Sequence, residues 1–410
     1  MVLRRQGAGP RNVTGREDFI MRKALLAGVL AVCAGSAGAE TTIRIGYLSV
    51  AQPAPPVLSN LDPRPDDLGL AGARLGLAEN ATTGRFMGQD WKLSETVVPE
   101  GGDALAGART ALAGARLLVI DAPASTLQAI ADLPEAKGAL LFNATAQDGE
   151  LRDEGCRANL LHTIPSHAMR TDALAQFLVG RRWTDVALIE GPHPEDAAFA
   201  RAMSASAEKF RLSLVGRKDW RFDADMRRNA SAEVPLFTQD LDDHDVLLIA
   251  DEVHDFGRYV AYNTWLPRPV AGSEELVPEG WSPVVEQWGA AQLQGRFEEA
   301  AARDMLPEDY AAWAAVRTLG EAVTRAGGTE TDALRAYILS DAFELGGFKG
   351  SPLSYRAWNG QLRQPIPIVT DRAVVATAPL EGFMHQGNEL DTLGLDAPES
   401  ACTAFTETSQ

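Results

Sequence analysis

Residues 113–145 decide the fold and read AGARLLVIDAPASTLQAIADLPEAKGALLFNAT. Leu117–Ile120 and Ala139–Phe142 are short, continuous apolar runs bounded by Gly and polar residues. Such runs are typical of parallel strands that are buried on both faces, and a helix-like segment lies between them. The stretch therefore predicts a strand–helix–strand unit of an α/β sheet.

Small and polar residues follow both predicted strands. In an open α/β sheet, ligands bind at the carboxyl ends of the strands, because the loops and helix N-termini there present free backbone N–H groups. The residues that we expect on this rim are Asp121, Ser125, Thr126, Asn143, Ala144 and Thr145. An equally good interpretation of Ser125 is that it only caps the helix that follows.

The same alternation extends along the chain in both directions and predicts right-handed βαβ units. The other predicted strands are Ile43–Leu48, Trp91–Val97, Val186–Glu190, Leu212–Val215 and Val246–Ala250. Predicted helices end near Glu79 and Ala113 and cover Ala168–Gly180 and Glu195–Phe210.

Two of these helices have start signals. Asp66 and Asp67 offer an N-cap for the helix that runs through Glu79, and Asp103 offers one for the helix that ends near Ala113. Gly72 and Gly76 lie inside the first of these helices, where they would permit a close approach to the sheet.

The chain has 410 residues, of which 45% are hydrophobic, so it can bury more than one core and two domains are expected. The first 39 residues have the pattern of a secretory signal peptide: a positive start at Met21-Arg22-Lys23, an apolar segment Ala24–Val32, and the cleavage signature Ala37-Gly38-Ala39. Met21 is then a candidate for the true start. Val32 before Cys33 is unlike a lipoprotein signal, which predicts a soluble exported protein.

Removal of residues 1–39 takes away six Lys or Arg and two Asp or Glu, which changes the net charge from −18 to −22. This charge argues against nucleic acid and anionic membranes as partners. Cys156 and Cys402 remain, and an even pair in an oxidising compartment predicts one disulfide with Cα atoms about 4.4 to 6.8 Å apart. The alternative is two free thiols.

Several stretches together resemble the type I periplasmic solute-binding proteins of ABC transporters, in the leucine/isoleucine/valine-binding class. The stretches are Asp67-Leu68-Gly69, Gly101-Gly102-Asp103, Ala122–Thr126, Asn143-Ala144-Thr145, Tyr310–Val316 and Asn359-Gly360-Gln361. Within that class, Trp265–Gly272 and Gln287–Phe297 look like the subgroup associated with alcohol dehydrogenases that depend on pyrroloquinoline quinone (PQQ).

The resemblance implies an α/β fold with two Rossmann-like lobes, whose parallel sheets are flanked by helices and which are joined by a three-crossing hinge. We place the first crossing at Asn159–Ser166. The implied division is a signal peptide at 1–39, the first lobe at 40–163 and 284–353, and the second lobe at 164–283 and 354–410, the last with the C-terminal tail.

The resemblance also implies a ligand site between the lobes. Ser125 and Thr126 match donors to a ligand carboxylate, Ala144 and Thr145 match a second contact loop, and Glu274 matches an acid that pairs with a ligand amino group.

Two residues depart from that pattern. Pro194 stands where those binders carry a covering Tyr, and Asp121 would repel a carboxylate. We therefore expect a small neutral or cationic organic solute in preference to an aliphatic amino acid or the quinone cofactor.

Trp281 follows the Glu274 loop and is the aromatic residue that we expect to stack on a ligand. The other candidates near the predicted crossings are Trp265, Trp288 and Trp358. For any one of these four residues, packing in the core is the commoner use.

Enzyme motifs are absent from the sequence: it has no G-x-S-x-G, H-E-x-x-H, phosphate loop or C-x-x-C. We expect no catalytic residue, metal or cofactor. The strongest contrary pattern is a divalent-metal set for a hydrolase, made of His193, Glu195, Asp251, Glu252, His254 and Asp255. The acidic stretch 240–245 is interpreted as a solvated turn.

The function predicted from the sequence is a solute-binding protein in the periplasm. Its partners would be a small organic ligand and an ABC permease of the inner membrane, with no segment of its own in the bilayer. The alternative is a ligand-sensing or accessory partner of a quinoprotein dehydrogenase, with no role in transport.

Overall fold

The computed structural model describes residues 41–53, 64–222 and 226–405, without the side chains of 226–228. The predicted signal peptide, with Met21 as its start, lies outside the described residues. The strands are β1 (Thr41–Val50), β2 (Gln89–Val98), β3 (Leu117–Asp121), β4 (Leu140–Asn143), β5 (Leu160–His162), β6 (Asp185–Glu190), β7 (Ser213–Asp219), β8 (Val246–Ala250), β9 (Val270–Gly272), β10 (Val277–Pro278), β11 (Ser354–Tyr355), β12 (Leu362–Arg363), β13 (Ile366–Thr370) and β14 (Ala373–Ala378).

Helices connect most of these strands. They are α1 (Leu70–Met87), α2 (Ala104–Gly114), α3 (Ala124–Ala131), α4 (His167–Arg181), α5 (Pro194–Phe210), α6 (Met226–Thr238), α7 (Gly257–Val260), α8 (Ala290–Ala301), α9 (Pro307–Ala326) and α10 (Thr331–Ile338). Within the described residues, no helix is both long and apolar enough to cross a membrane.

Two sheets form the frame of the molecule. The first has the strand order β2-β1-β3-β4-β5 and the second has the order β7-β6-β8-β9. All pairings of β3 and β4, and all pairings within the second sheet, are parallel. The predicted α/β fold with parallel sheets flanked by helices is confirmed. Smaller antiparallel sheets, β10-β13-β14 and β11-β12, complete the frame.

The central strands β3 and β4 of the first sheet are buried on both faces, as their apolar runs predict. Val119 and Phe142 face one core, with the long helix α9, whereas Ile120 and Leu141 face the other core, with α2 and α3. This alternation follows from the two-residue period of a strand, which sends successive side chains to opposite faces.

Both sheets have a topological switch point, where the chain reverses the direction in which it adds strands. In the first sheet this point lies between β1 and β3, and in the second it lies between β6 and β8. Crevices outside the carboxyl ends of strands at such points are the usual ligand sites of open α/β sheets. The ends of these four strands are therefore the candidate ligand site.

The start of α1 differs from the sequence-based expectation. The helix begins at Leu70, its N-cap is Gly69 with no side-chain cap bond, and it runs to Met87 instead of Glu79. The predicted Asp66 or Asp67 cap is wrong, because Gly69 adopts φ 75° and its N–H donates to the Asp309 carboxylate, 2.8 Å away. A left-handed Gly at this point turns the chain without help from a capping side chain.

The close approach predicted for Gly72 is real, but its partner is a helix and not the sheet. A Cβ atom at Gly72 would lie 1.9 Å from the Asp309 backbone oxygen of α9. Gly76 faces Trp313 and Val316 of the same helix. The predicted cap of α2 is confirmed, because the Asp103 carboxylate accepts the Ala106 N–H at 2.9 Å.

The Cys156–Cys402 disulfide is confirmed, with Cα atoms 5.7 Å apart across a separation of 246 residues. Around it, the Ser400 hydroxyl donates to the Arg152 backbone oxygen at 2.9 Å, and Phe405 packs in the α9-side core of the first sheet. The bond therefore fixes the end of the described chain to the first sheet. The division into lobe segments stays a prediction.

Candidate functional site

The first-sheet rim consists of the residues at the carboxyl ends of β1, β3 and β4. Ser49 and Asp121 are register partners in β1 and β3, and the Ser49 hydroxyl donates to the Asp121 carboxylate at 3.0 Å. The Thr145 hydroxyl donates to the other oxygen of the same carboxylate at 2.8 Å. The rim therefore presents a carboxylate that two hydroxyl groups hold in place.

The loop after β4 uses its own backbone donors. The buried Asn143 side chain accepts the N–H groups of Thr145 and Ala146 at 3.1 and 2.8 Å, and the Ala144 N–H donates to the Ile120 backbone oxygen. These bonds set the loop shape, as Asn side chains do in tight turns. The N–H groups of Ala144 and Thr145 in this predicted contact loop therefore already have partners in this structure.

Ser125 and Thr126 lie in the first turn of α3. The helix begins at Ala124 after Pro123, with no side-chain cap bond, so the interpretation of Ser125 as a cap is wrong. Ser125 is exposed and Thr126 is half-buried. Their contact with a ligand stays a prediction.

Buried carboxylates organise the loops at the second switch point. Asp251 accepts the N–H groups of Asp255, Phe256 and Gly257 at 2.6 to 3.0 Å, and burial raises its pKa. Asp196 accepts the N–H of Glu252 at 2.7 Å, and burial raises the pKa of Asp196 to about 7. Backbone N–H groups therefore satisfy the carboxylates of Asp251 and Asp196.

Arg170 of α4 forms a largely buried ion pair with Glu252 at this site. Its guanidinium contacts both oxygens of Glu252, and it also donates to the Gln147 side chain and the Pro278 backbone oxygen, each at 2.9 Å. The Ser273 hydroxyl donates to Glu252 at 2.8 Å. Burial opposes ionisation, but the Arg170 charge and its hydrogen bonds lower the pKa of Glu252 to about 2.

Glu274, which was expected to meet a ligand amino group, faces a cation of the protein itself. Its carboxylate lies 3.7 Å from His254 Nδ1. This interaction raises the pKa of His254 to about 9, with a smaller effect from Asp251. The His254 side chain is about half exposed, so solvent screens the pair.

Glu279 and Glu308 are site residues that the sequence reasoning missed. Glu279 follows β10, and Glu308 is the second residue of α9. Burial raises the pKa of Glu279 to about 7; Arg170 opposes this increase and Glu308 adds to it. Burial also raises the pKa of Glu308, and Asp121 adds to that effect.

The charges that act on the two acids come from the ends of both sheets. Glu308 interacts with Asp121 on the first side, and Glu279 interacts with Arg170 and His254 on the second. Tyr47 of β1 belongs to the same cluster, because burial and the nearby Asp121 raise the pKa of its hydroxyl. An acid in the first turn of a helix is common, which is why the sequence of α9 gave no signal for Glu308.

Trp281 fills the core in this structure. It is 1% exposed and stacks on Tyr310, with ring centroids 4.7 Å apart, and its Nε1 donates to Gln294 at 3.3 Å. It also lines a small apolar pocket whose other residues include Pro367 of β13. These contacts describe a packing role for Trp281. Its stacking on a ligand stays a prediction.

The proposed divalent-metal set does not come together. Among the described residues, no group of three or more His, Cys, Asp or Glu side chains has an arrangement that could hold a metal ion. His193 Nε2 lies 3.1 Å from Asp255, while Asp251 is held by backbone N–H groups. Pro194 is the exposed first residue of α5.

Comparisons with known proteins identify the fold. No protein family model and no curated protein sequence matches the chain. Among solved structures, a periplasmic binding protein from Burkholderia mallei is 14% identical with a TM-score of 0.63, covering 90% of this chain and 100% of that one. A leucine-, isoleucine-, valine-, threonine- and alanine-binding protein from Brucella ovis, in a closed conformation, is 14% identical with a TM-score of 0.65, covering 88% and 98%.

A third similar structure has a different ligand. The solute-binding protein of an ABC transporter from R. palustris, in complex with benzoate, is 12% identical with a TM-score of 0.62, covering 88% of this chain and 99% of that one. At these identities the likeness concerns the fold alone, and that fold is the type I periplasmic binding protein fold.

Proposed function

We propose that this protein is the periplasmic solute-binding component of an ABC transporter and binds a small organic ligand at the facing strand ends. The observation that carries the proposal is a set of hydrogen bonds that connects the strand ends of the two sheets. Arg170 bonds Gln147, which follows β4, and Glu252, which follows β8. Ligands of open α/β sheets bind at such strand ends.

The proposal assigns no bond-making step to the chain. The carboxylates at the site are either held by protein donors or kept partly protonated by burial, an arrangement that recognises polar groups. Ser125, Thr126, Ala144, Thr145, Glu274 and Trp281 are the ligand contacts predicted from the sequence, and they belong to this proposal. The similar structures with amino acid or benzoate ligands support a small organic solute.

Native mass spectrometry of protein freshly purified from the periplasm tests this function. We expect one bound small molecule per chain, released by unfolding and restored on refolding with the extract. Re-binding of the purified molecule in calorimetry at micromolar affinity, about −8 kcal/mol, agrees with a transport binding protein. A protein that binds no small molecule from the periplasm, and no permease after cross-linking, contradicts the proposal.

The finer proposal links this transporter to a PQQ-dependent alcohol dehydrogenase system. It is supported by the resemblance at Trp265–Gly272, which includes β9, and at Gln287–Phe297, which includes most of α8. A strain without the gene should grow poorly on ethanol and normally on glucose. Equal growth of both strains on ethanol contradicts the link, and impaired growth with unchanged solute uptake favours the accessory-partner alternative.

A further inference from the structure

Three of the chain segments that connect the two sheets meet around one buried lysine. The first, 163–166, joins β5 to α4; the second, 279–280, follows β10; and the third, 364–365, lies between β12 and β13. We call them the connecting segments. Each joins a residue in the α9-side core of the first sheet to one in the core of the second sheet; these pairs are Leu161 and Leu174, Trp281 and Ala271, and Leu362 and Ile368.

The lysine is Lys349, in the loop between α10 and β11. It is anchored on the side of the first sheet, because its ammonium lies 4.7 Å from the centre of the Tyr310 ring of α9. The residues on either side of it have left-handed backbones, with φ 56° at Phe348 and φ 90° at Gly350. Such a backbone is strained at a bulky residue such as Phe348, and the strain accompanies a lysine that is buried.

The Lys349 ammonium donates to two of the connecting segments. It bonds the Gly280 backbone oxygen, the Gln364 side-chain oxygen at 2.6 Å and the Pro365 backbone oxygen at 3.3 Å. Three acceptors match the three N–H donors of an ammonium group. Burial lowers the pKa of Lys349, whereas the acceptors favour its charged form.

None of the described carboxylates pairs with Lys349. A buried lysine without a counter-ion is costly, so packing alone does not explain why it is there. Its partners are neutral oxygens of the connecting segments, and its position among those segments is therefore the feature to explain.

Gln364 extends the connection to the first segment. Its buried side chain accepts from Lys349 and donates from Nε2 to the Thr163 backbone oxygen at 2.8 Å. Gly280 also lies against the first segment, since a Cβ atom there would be 3.1 Å from the Pro165 ring. All three connecting segments are thus joined at one point by two side chains.

We propose that Lys349 and Gln364 form a clamp that fixes the strand ends of the two sheets relative to each other. The inference rests on the proposed solute-binding function, because a ligand at those strand ends needs both sides in place. Both are positioning residues. Motion between two packed halves is absorbed by the few residues that connect them, and the clamp ties these residues together.

Two variants and a control test the clamp. Lys349→Met removes the ammonium and keeps an unbranched apolar side chain. Gln364→Glu keeps an oxygen acceptor for Lys349 and supplies a counter-ion, but a carboxylate does not donate to Thr163. Lys92→Met changes an exposed lysine of β2 and is the control.

Spin labels at Lys137→Cys and Arg201→Cys report the distance between the two sides by pulsed electron paramagnetic resonance. Both positions are exposed, the first before β4 and the second in α5. Without ligand, we expect the distance distribution of Gln364→Glu to be about twofold broader than that of the native protein. Lys349→Met should broaden it at least as much, and Lys92→Met should leave it unchanged.

Stability separates positioning from general loosening. The midpoint of urea unfolding should be the same in Gln364→Glu as in the native protein, because the new counter-ion offsets the lost hydrogen bond. If Lys349→Met does not fold, Gln364→Glu decides alone.

Three results would overturn the inference: a distribution of native width in Gln364→Glu, broadening that Lys92→Met shares, or broadening that comes with a lowered midpoint in Gln364→Glu. Native mass spectrometry tests the solute-binding function separately. Native-width distributions in a protein that carries a solute remove the clamp alone, whereas a broadened Gln364→Glu in a protein that binds no solute removes the function alone.

Discussion

Glu252 and Glu279 are two carboxylates of the same site with opposite environments. Glu252 meets the Arg170 guanidinium and the Ser273 hydroxyl, and its pKa lies at about 2. Among the described residues, no group forms a hydrogen bond with the Glu279 carboxylate, and burial raises its pKa to about 7. The guanidinium acts on both groups, but it reaches hydrogen-bonding distance of only one.

The difference separates a carboxylate that a cation of the protein neutralises from one without such a partner among the described residues. Burial disfavours the charge of each, so the outcome depends on whether a cation is within contact. A protein that kept Glu279 only for stability would do better with a neutral residue there. The following variants test that distinction, from the largest expected effect to the smallest.

Arg170→Met should have the largest effect on stability. It leaves the Glu252 charge buried without its cation, which costs about 3 to 5 kcal/mol of unfolding free energy at pH 7. Because the pair depresses the Glu252 pKa, its contribution is present above about pH 4.5 and is lost as the pH falls towards 2. Urea unfolding at pH 3 and pH 7 measures both quantities.

Arg181→Met is the matched control, because Arg181 ends the same helix and is exposed. It should change stability by less than about 1 kcal/mol. Adding Glu252→Gln to Arg170→Met should restore part of the loss. A loss in Arg170→Met that is as large at pH 3 as at pH 7 contradicts the ion-pair explanation.

Much of this frame could be predicted from sequence, because its signals are local. Apolar runs such as Leu117–Ile120 specify buried parallel strands wherever their partners lie, and Asp103 bonds a backbone group three residues away. The start of α1 could not be predicted, since Gly69 depends on Asp309, 240 residues further along the chain. Long-range contacts of this kind leave no periodic pattern.

The paired variant Cys156→Ser/Cys402→Ser provides a reference outside both carboxylate regions. Loss of the cross-link should lower the free energy of unfolding by about 2 to 4 kcal/mol, since the unfolded chain gains freedom over a long loop. No ionisable group of the site changes, so the loss should be the same at pH 5 and pH 8. A loss that varies with pH would mean that the disulfide also holds the site in shape.

Glu279→Gln should act in the opposite direction and stabilise the empty protein. The raised pKa means that the folded state holds its proton more tightly than the unfolded state, so stability falls as the pH rises from about 4.5 through 7. The variant should gain about 2 to 3 kcal/mol at pH 8 and nothing at pH 4. Thermal unfolding across this range, with Glu299→Gln as the exposed control, measures the gain; equal stability at pH 8 contradicts the unpaired state of Glu279.

The site could be predicted only in part, for a physical reason. The strand-end rule located Asp121 and Thr145, which do lie together. It could not show that the Thr145 hydroxyl donates to Asp121, nor that Arg170 pairs with Glu252 instead of Glu279. Those facts depend on which donors remain free after folding, and a residue type alone does not reveal this.

Ser125→Ala should have the smallest effect on stability and still be informative about the ligand. Ser125 is exposed in the first turn of α3 and caps nothing, so the free energy of unfolding should change by less than about 0.5 kcal/mol. As a predicted ligand donor, its hydroxyl contributes one hydrogen bond of about 1 kcal/mol, which corresponds to a severalfold loss of affinity for the native solute. Calorimetry against Ser231→Ala, an exposed serine of α6, measures the difference. Unchanged affinity in Ser125→Ala would remove the first turn of α3 from the ligand site.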